Sequence, residues 1–383
     1  MKILIGGSPC THWSIAQTKN RETEASGIGW DLFLNYRIAR DKFQPDFFLY
    51  ENNKSMSPAI REQITAELGV EPVLINSALV SAQNRQRLYW CGKRNPDGTY
   101  SQVNVPLPED RGILLRDILE SGVAWREKSY TLDAHYYKSA GVYNPKKQHS
   151  YSRLMAAEPV RIGTIENDAK NQAFDSQQYR VYSPGAKGVT LCGNGGGLGA
   201  KTGLYAVPVI PDGKGQFVKA AGGKEIPVYE VRGGRITIKG KTYPIKLADG
   251  FYIIRKLTVT ECKRLQTVPD TYAFPVSDTQ AYKMLGNGWT VDVIAHILSQ
   301  FEGLRDEPVD VLSMYDGMSC GHIALDKLGV GITAYYATEI DKHAVQTTQH
   351  NYPDTVQLGD AFQVRAEDWH LPEPAGMDAA EME

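Results

Sequence analysis

The chain has 383 residues, enough for two domains or for one large domain with an insertion. Its 42% hydrophobic and 22% charged residues are ordinary for a globular protein, and the net charge of −2 excludes a general attraction for polyanions, so a surface for nucleic acid has to gather its basic residues locally. The five cysteines (Cys10, Cys91, Cys192, Cys262 and Cys320) stand far apart and odd in number, which argues against both a C-x-x-C zinc site and a full disulfide framework.

The first residues, MKILI, read as a short apolar strand that runs into Gly6-Gly7-Ser8-Pro9-Cys10, a turn able to present a nucleophile. A polar stretch over 11–29 follows, with the composition of an active-site loop. WDLFLNYRIARDKF (30–43) has apolar residues at helical spacing, PDFFLYENN (45–53) is a buried strand ending in acid and amides, and SPAIREQITAELG (57–69) is a second helix. PVLINSALV (72–80) reads as a strand, and SAQNRQRLYWCG (81–92) carries Arg85 and Arg87. Between 99 and 254 the character changes to Gly, Tyr, Thr and Lys with many short β-like runs, among them the alternating stretch from Gly233 to Leu257. Helical patterns return at 257–270 and 281–301. A charged joint over 302–308 then leads into VDVLSMYDGMSCGHIALDKLG (309–329), a strand, a glycine turn and a helix. ITAYYATEID (332–341) and TVQLGDAFQV (355–364) are further strands ending in acid, and the last residues are expected to fray. No apolar run approaches the roughly 20 residues of a membrane span, and no secretion signal is recognisable ahead of the first strand. The expected setting is therefore a reducing cytoplasm, with neither membrane nor metal as partner.

Residues 309–360 have the form of the first units of a doubly wound sheet, in which glycines let backbone approach a ligand at the carboxyl ends of the strands. Glu339 lies 22 positions after Gly317, where an acid meets the two ribose hydroxyls in such folds. Asp360 ends the third strand, within reach of an adenine edge. The turn is not G-x-G-x-x-G and no phosphate-gripping Lys or Arg follows it, which disfavours NAD and ATP. An adenosine ligand without phosphates fits better, S-adenosylmethionine being the commonest; a glycine turn in any α/β domain is the plainer alternative.

Taken together, these segments resemble the DNA cytosine-5 methyltransferase family, with wording closest to its animal de novo branch. LSMYDGMSCG resembles the family's cofactor strand and turn, IGGSPCTHWS its proline–cysteine loop, FLYENN its Glu-Asn motif and QNRQRLYW its Gln-x-Arg-x-Arg segment. LTVTECKRLQTVPD and YKMLGNGWTVDVI resemble its two closing motifs. The family's usual order begins with the cofactor motifs; here they come last. The resemblance therefore implies a circular permutant in which joining the tail near Asp378 to Met1 restores the usual run. The implied fold is α/β, a doubly wound, Rossmann-like methyltransferase sheet with a smaller, mainly β and loop target-recognition domain inserted. The expected division is a catalytic half over 1–98, target recognition over 99–254, closing motifs over 255–303, a cofactor half over 304–378 and a tail over 379–383.

The resemblance also implies roles. Cytosine carbon 5 is a poor nucleophile, and a thiolate that adds to carbon 6 makes carbon 5 able to attack a sulfonium methyl. Cys10, after Pro9, matches that nucleophile. Glu51 matches the acid that bonds ring nitrogen 3 and the amino group, Arg87 the arginine that grips the cytosine oxygen, and Arg85 a brace for the loop. Tyr315, Asp316, Gly317, Met318 and Cys320 should line the cofactor, with Glu339 and Ile340 at the ribose, Asp360 and Ala361 at the adenine, and Asn287 and Trp289 near the methionine end. The implied partner is double-stranded DNA, whose target base has to be flipped out of the stack. Segment 11–29 is the natural lid. Lys138, Lys146, Lys147, Arg180, Lys187 and Lys201 are candidates for DNA phosphates. The protein is expected to be a monomer in the cytoplasm of a bacterial or phage-infected cell. Thr11, Asn53 and Tyr315 depart from the family's usual Gln, Val and Phe. Three other readings stay open: a related enzyme that moves another group from a modified S-adenosylmethionine, a catalytically silent DNA-binding homologue, and an enzyme acting on RNA.

Overall fold

The computed structural model describes residues 1–9, 12–13, 21–120, 161–164, 180–182, 204–208, 217–219, 225–238, 241–244, 247–255 and 257–372. In chain order the first part holds β1 (Lys2–Gly6), α1 (Gly27–Phe43), β2 (Phe47–Asn53), α2 (Pro58–Leu68), β3 (Pro72–Asn76), β4 (Gln86–Arg94), β5 (Tyr100–Gln102) and α3 (Leu115–Ile118). The middle holds β6 (Arg161–Thr164), β7 (Arg180–Tyr182), β8 (Leu204–Pro208), β9 (Phe217–Lys219), β10 (Glu225–Pro227), β11 (Tyr229–Arg232), β12 (Arg235–Ile238), β13 (Lys241–Pro244) and β14 (Gly250–Arg255). The last part holds α4 (Val259–Leu265), α5 (Asp278–Asn287), α6 (Val291–Leu298), β15 (Val309–Met314), α7 (Cys320–Leu328), β16 (Ile332–Thr338), α8 (Lys342–Asn351) and β17 (Val356–Gly359).

One eight-stranded sheet organises the first and last parts. Its order is β17-β16-β15-β1-β2-β4-β3, with β5 added on β4. The five strands from β17 to β2 pair in parallel, and β4 runs antiparallel between β2 and β3. β15, which follows α6 in sequence, lies beside β1, in register from Lys2 opposite Asp310 to Gly6 opposite Met314. This is the rotated order that the motifs predicted: the late cofactor strands continue the sheet on the far side of the first strand. The proposed joint near Asp378 lies outside the described residues.

Parallel strands covered on both faces need apolar side chains on both faces. Ile3, Ile5, Leu49 and Val311 point to one side, into a core built with α3 to α8, where Leu265, Ile294, Ile297 and Ile323 are buried. Leu4, Phe48, Tyr50 and Leu312 point to the other side, against Phe33 and Tyr36 of α1 and Ile60 and Ile64 of α2. A second sheet, β13-β12-β11-β14-β8-β7-β6, carries the β-rich middle region, with β9 and β10 as a separate ladder. Within the stretch 99–254 that composition groups together, the first elements lie against the first sheet. β5 pairs with β4, and Leu115 and Ile118 enter the first core.

Two predicted elements are cut short by side chains that cap backbone. The strand over 72–80 ends at Asn76, whose Oδ1 accepts from the Ala78 N–H at 3.1 Å and starts a 3₁₀ turn. The helix over 281–301 is two helices, α5 and α6, broken at Gly288-Trp289-Thr290. Gly288 fits there because a Cβ would stand 3.1 Å from both Cys320 Sγ and Met284 O.

Gly321 measures how tightly the late half sits on the early one: a Cβ there would come within 2.1 Å of Ile5 Cδ1 and 3.1 Å of Tyr335 Oη. Gly321→Ala is therefore expected to lower stability by about 1–3 kcal/mol, read as a fall in the urea midpoint at unchanged slope. An unchanged midpoint would mean that α7 does not rest on β1 this closely.

Candidate active site

The sheet order reverses between β15 and β1. From β15 the chain works outward to β16 and β17, and from β1 to β2. The carboxyl ends at such a reversal form the natural crevice for a ligand, and the register brings Gly6 and Met314 level. Two glycines make the approach possible. A Cβ on Gly6 would meet Met314 O at 2.8 Å, and one on Gly7 would meet Glu51 O at 2.8 Å and Glu51 Oε2 at 2.9 Å. The next residue, Ser8, is buried, with its Oγ 2.7 Å from Tyr50 Oη. Asn52 Nδ2 donates to Ser8 O (3.2 Å), Ser8 Oγ (3.3 Å) and Tyr50 Oη (3.2 Å). The turn is thus held from below up to Pro9, which is exposed. Cys10 itself lies outside the described residues.

Glu51 lies in β2, which is buried along its whole length, and both its oxygens are engaged. Arg87 Nε stands 3.0 Å from Oε1, and the Trp289 indole N–H donates to Oε2 at 2.9 Å. Pairing of β2 with β4 puts Asn53 opposite Arg87, which keeps the Arg87 side chain at the same sheet end. Arg85 does not join them. It is buried and donates to Gly286 O at 3.2 Å and Gly288 O at 3.0 Å, so it braces the break between α5 and α6. Gln266 completes the brace, with Nε2 bonded to Leu285 O and Gly288 O, and Oε1 accepting from Thr290 Oγ1 and Gln83 Nε2.

On the β15 side the turn is sharply bent. Tyr315, Gly317 and Ser319 have φ of 60°, 62° and 57°, the left-handed region that only glycine enters freely. Asp316 holds this shape from inside. Its carboxylate accepts from Ser313 Oγ at 2.6 Å, from Tyr335 Oη at 2.8 Å and from Ser319 Oγ. Burial raises its pKa against these three hydroxyls. Three hydroxyls thus engage the half-buried Asp316 carboxylate, which the motif suggests lines the cofactor. Met318 and Cys320 are likewise buried, and burial pushes the Cys320 thiol up to about 12, so it is a neutral packing group.

Above Gly317 there is open space: a Cβ would meet nothing within 4 Å. Around it stand Glu339, with Oε2 accepting from the Gly317 N–H (2.9 Å) and Oε1 from the Ile340 and Asp341 N–H groups (2.7 Å each). Ile340 beside it is 76% exposed, an apolar side chain with no protein cover. Asp360 is exposed and caps a turn through the Phe362 N–H at 2.9 Å, whereas Ala361 is buried. Asn287 is exposed at the end of α5, and Trp289, assigned from sequence to the methionine end, reaches Glu51 with its indole N–H. Lys138, Lys146, Lys147, Lys187 and Lys201 lie outside the described residues; Arg180 lies in β7, with its side chain outside them. Among the described residues no cluster of His, Cys, Asp or Glu could hold a metal ion, and no helix is long and apolar enough to cross a membrane.

Sequence reading missed the residues that place the site without touching a substrate. Tyr50 and Gln266 look like ordinary strand and helix residues, and Trp13, fully buried, looks like an aromatic in a polar loop. Only Asn52 carried a signal, as part of the Glu-Asn pair.

The chain matches the family model of C-5 cytosine-specific DNA methylases over residues 1–303. It is similar to the type II methyltransferase M.HpaII of Haemophilus parainfluenzae, 27% identical over 304 residues that cover 76% of this chain and 69% of that one. It is also similar to the orphan methyltransferase M.SPRI of Bacillus phage SPR, 25% identical with 78% and 82% covered. Among solved structures, the Entamoeba histolytica methyltransferase EhMeth superposes with a TM-score of 0.42 at 12% identity, covering 78% of this chain and 76% of that chain.

The buried Asp316 makes stability depend on pH. Its raised folded-state pKa means that its contribution is fully present below the unfolded value, about 3.9, and is lost as pH rises through the higher folded value. Replacing it by an amide removes that loss. The stability of Asp316→Asn relative to wild type should therefore improve from about pH 4 upward, as urea unfolding across pH would show; a pH-independent difference would contradict a buried, titrating carboxyl.

Proposed function

The chain belongs to the C-5 cytosine-specific DNA methylase family, and from that premise we propose how its own residues divide the transfer of a methyl group from S-adenosylmethionine to cytosine in DNA. When bound, S-adenosylmethionine supplies an electrophilic methyl group. The residues around Gly317 fit it: open space over a positive-φ glycine, a fixed carboxylate at Glu339 for ribose hydroxyls, the uncovered Ile340 for the adenine face and Asp360 for the adenine amino group. Glu339 accepts three backbone N–H bonds, so at least one of its roughly four lone-pair sites is left for a hydroxyl. Met318, Cys320 and Asp316 serve by shaping the turn.

Cys10 is the nucleophile. Its thiolate forms a bond to carbon 6 of a flipped cytosine, and the displaced electron pair moves through the ring toward nitrogen 3. Glu51 hands a proton to nitrogen 3, which carries none in neutral cytosine, and accepts an amino hydrogen of the base, in place of one of its present donors. Arg87 takes the exocyclic oxygen of the base, where negative charge also develops. Carbon 5 then takes the methyl group, leaving S-adenosylhomocysteine; water takes up the carbon 5 proton as the bond to carbon 6 breaks and the Cys10 thiolate departs, and nitrogen 3 returns its proton to Glu51. The observation that carries this reading is the meeting of Glu51, Arg87 and Trp289 next to a turn that Asn52 and Tyr50 hold level with the end of β15. Arg85 positions the α5–α6 break, and Asn287 projects from it. Flipping the target base costs about a few kcal/mol. Lys138, Arg180, Lys187 and Lys201, from the region between α3 and α4, are assigned to phosphate contacts that help to offset it. We further propose that the enzyme acts as a monomer in the cytoplasm.

The test is to incubate the protein with sequence-diverse unmodified duplex DNA and S-adenosylmethionine, digest to nucleosides and weigh them. A deoxycytidine heavier by one methyl, absent with Cys10→Ser while cofactor binding persists, is the expected result; full activity of that variant would sink the assignment of Cys10. Glu339→Ala should weaken S-adenosylmethionine binding about tenfold or more by calorimetry, about 1.4 kcal/mol, and unchanged affinity would count against the cofactor map.

A further inference from the structure

The hydroxyl of Tyr315 has no part in the chemistry above, yet it is not idle. It donates to Leu32 O in α1 at 2.7 Å and lies 3.5 Å from Asn35 Nδ2. Asn35, fully buried, accepts at Oδ1 from Arg365 Nε at 2.6 Å, and Arg365 Nη2 reaches Asp31 O at 3.0 Å and Asp31 Oδ1 at 3.1 Å. Two segments of the cofactor side, the turn after β15 and the 3₁₀ turn after Asp360, thus grip the same stretch of α1.

The first turn of α1 grips something else. Glu22 accepts from the Gly29 N–H (3.3 and 3.2 Å) and from the Trp13 indole N–H (3.1 Å), and its own N–H donates to His12 O at 2.9 Å. A Cβ on Gly29 would stand 2.6 Å from Trp13 Nε1 and 2.9 Å from His12 Cβ, so the His12–Trp13 pair lies directly on the helix. Trp13 is fully buried among Phe33, Tyr36 and Tyr50. His12 is two positions after Cys10 in the chain.

One rigid helix therefore connects the cofactor turn to the anchor immediately behind the nucleophile. We propose that Tyr315 is a positioning residue for methyl transfer: its hydroxyl locks α1 to the cofactor turn, and through Glu22 and Trp13 that lock sets where the nucleophile stands relative to the methyl donor. The proposal rests on Cys10 being the nucleophile. The physical need is plain: two halves of a reaction brought by different strands must keep a spacing within a fraction of an ångström, and small misplacements cost rate more than binding. The phenol ring serves the cofactor pocket with or without its hydroxyl, so the two contributions can be separated.

Tyr315→Phe removes one oxygen and keeps the ring. Expected is a kcat lowered five- to tenfold, with the KM for S-adenosylmethionine and the calorimetric Kd for S-adenosylhomocysteine within twofold of wild type and Tm within a few degrees. Glu22→Gln, at the other end of the same connection, should show the same split, and the double variant should lose no more than the worse single one. An unchanged kcat in Tyr315→Phe, a matching rise in KM and Kd, or multiplied losses in the double variant would each overturn the proposal. Should either variant unfold, the other carries the test alone. Cys10→Ser in the same assay separates the two ideas: retained transfer there refutes the nucleophile assignment, whereas wild-type kcat in Tyr315→Phe refutes only the positioning role.

Discussion

Everything in this protein depends on the parallel pairing of β1 with β15. The two strands are separated by nearly the whole chain, yet their residues run in register from Lys2 opposite Asp310 to Gly6 opposite Met314. Because they end level, the turn toward Cys10 and the turn around Gly317 leave the sheet at the same height and on the same edge. Buried apolar side chains on both faces hold that register: a slip of one residue would exchange the two faces of β1, turning Leu4 toward the first core and Ile3 and Ile5 toward the second. The crevice at the reversal of strand order is thus a consequence of hydrophobic patterning before any polar residue acts.

Polar side chains then refine the crevice, mostly by bonding backbone rather than one another. Asn52 ties the Ser8 turn to β2, Arg85 and Gln266 hold the chain open between α5 and α6, and Asp316 bends the cofactor turn from inside. Each is buried or nearly so, and a buried donor left without its partner would cost more than the bond contributes. That asymmetry makes these groups stiff. It explains how a site assembled from four separate stretches of chain holds Glu51 between Arg87 and Trp289.

Much of this was legible. Strand ends announced themselves by apolar runs stopping at Gly, Asp or Glu, and the helices α1 and α2 by their periodicity. The rotated order of the motifs anticipated the neighbour relation of β1 and β15. Less legible were positions whose meaning depends on a partner far away in the chain. Trp289 reads from sequence as core or cofactor packing, but its indole meets a carboxylate contributed from 238 residues earlier. Asp316 sits in a motif that suggests ligand contact, yet three hydroxyls draw its carboxyl inward. Composition also grouped β5 with the middle region although it pairs with β4, because an edge strand with one partner has no apolar face to betray it.

The sequence alone determined the family and the class of chemistry, and it nominated candidate residues, since a thiol after Gly-Gly-Ser-Pro, an acid in a strand and paired arginines are local facts about residue type and spacing. Only the tertiary structure decided how Arg85 and Arg87 part company and how α1 joins the turn around Gly317 to the His12–Trp13 pair. The physical reason is that residue type and periodicity are properties of neighbours in the chain. Direction and reach are set by which strand lies beside which, and here that partner comes from the opposite half of the molecule.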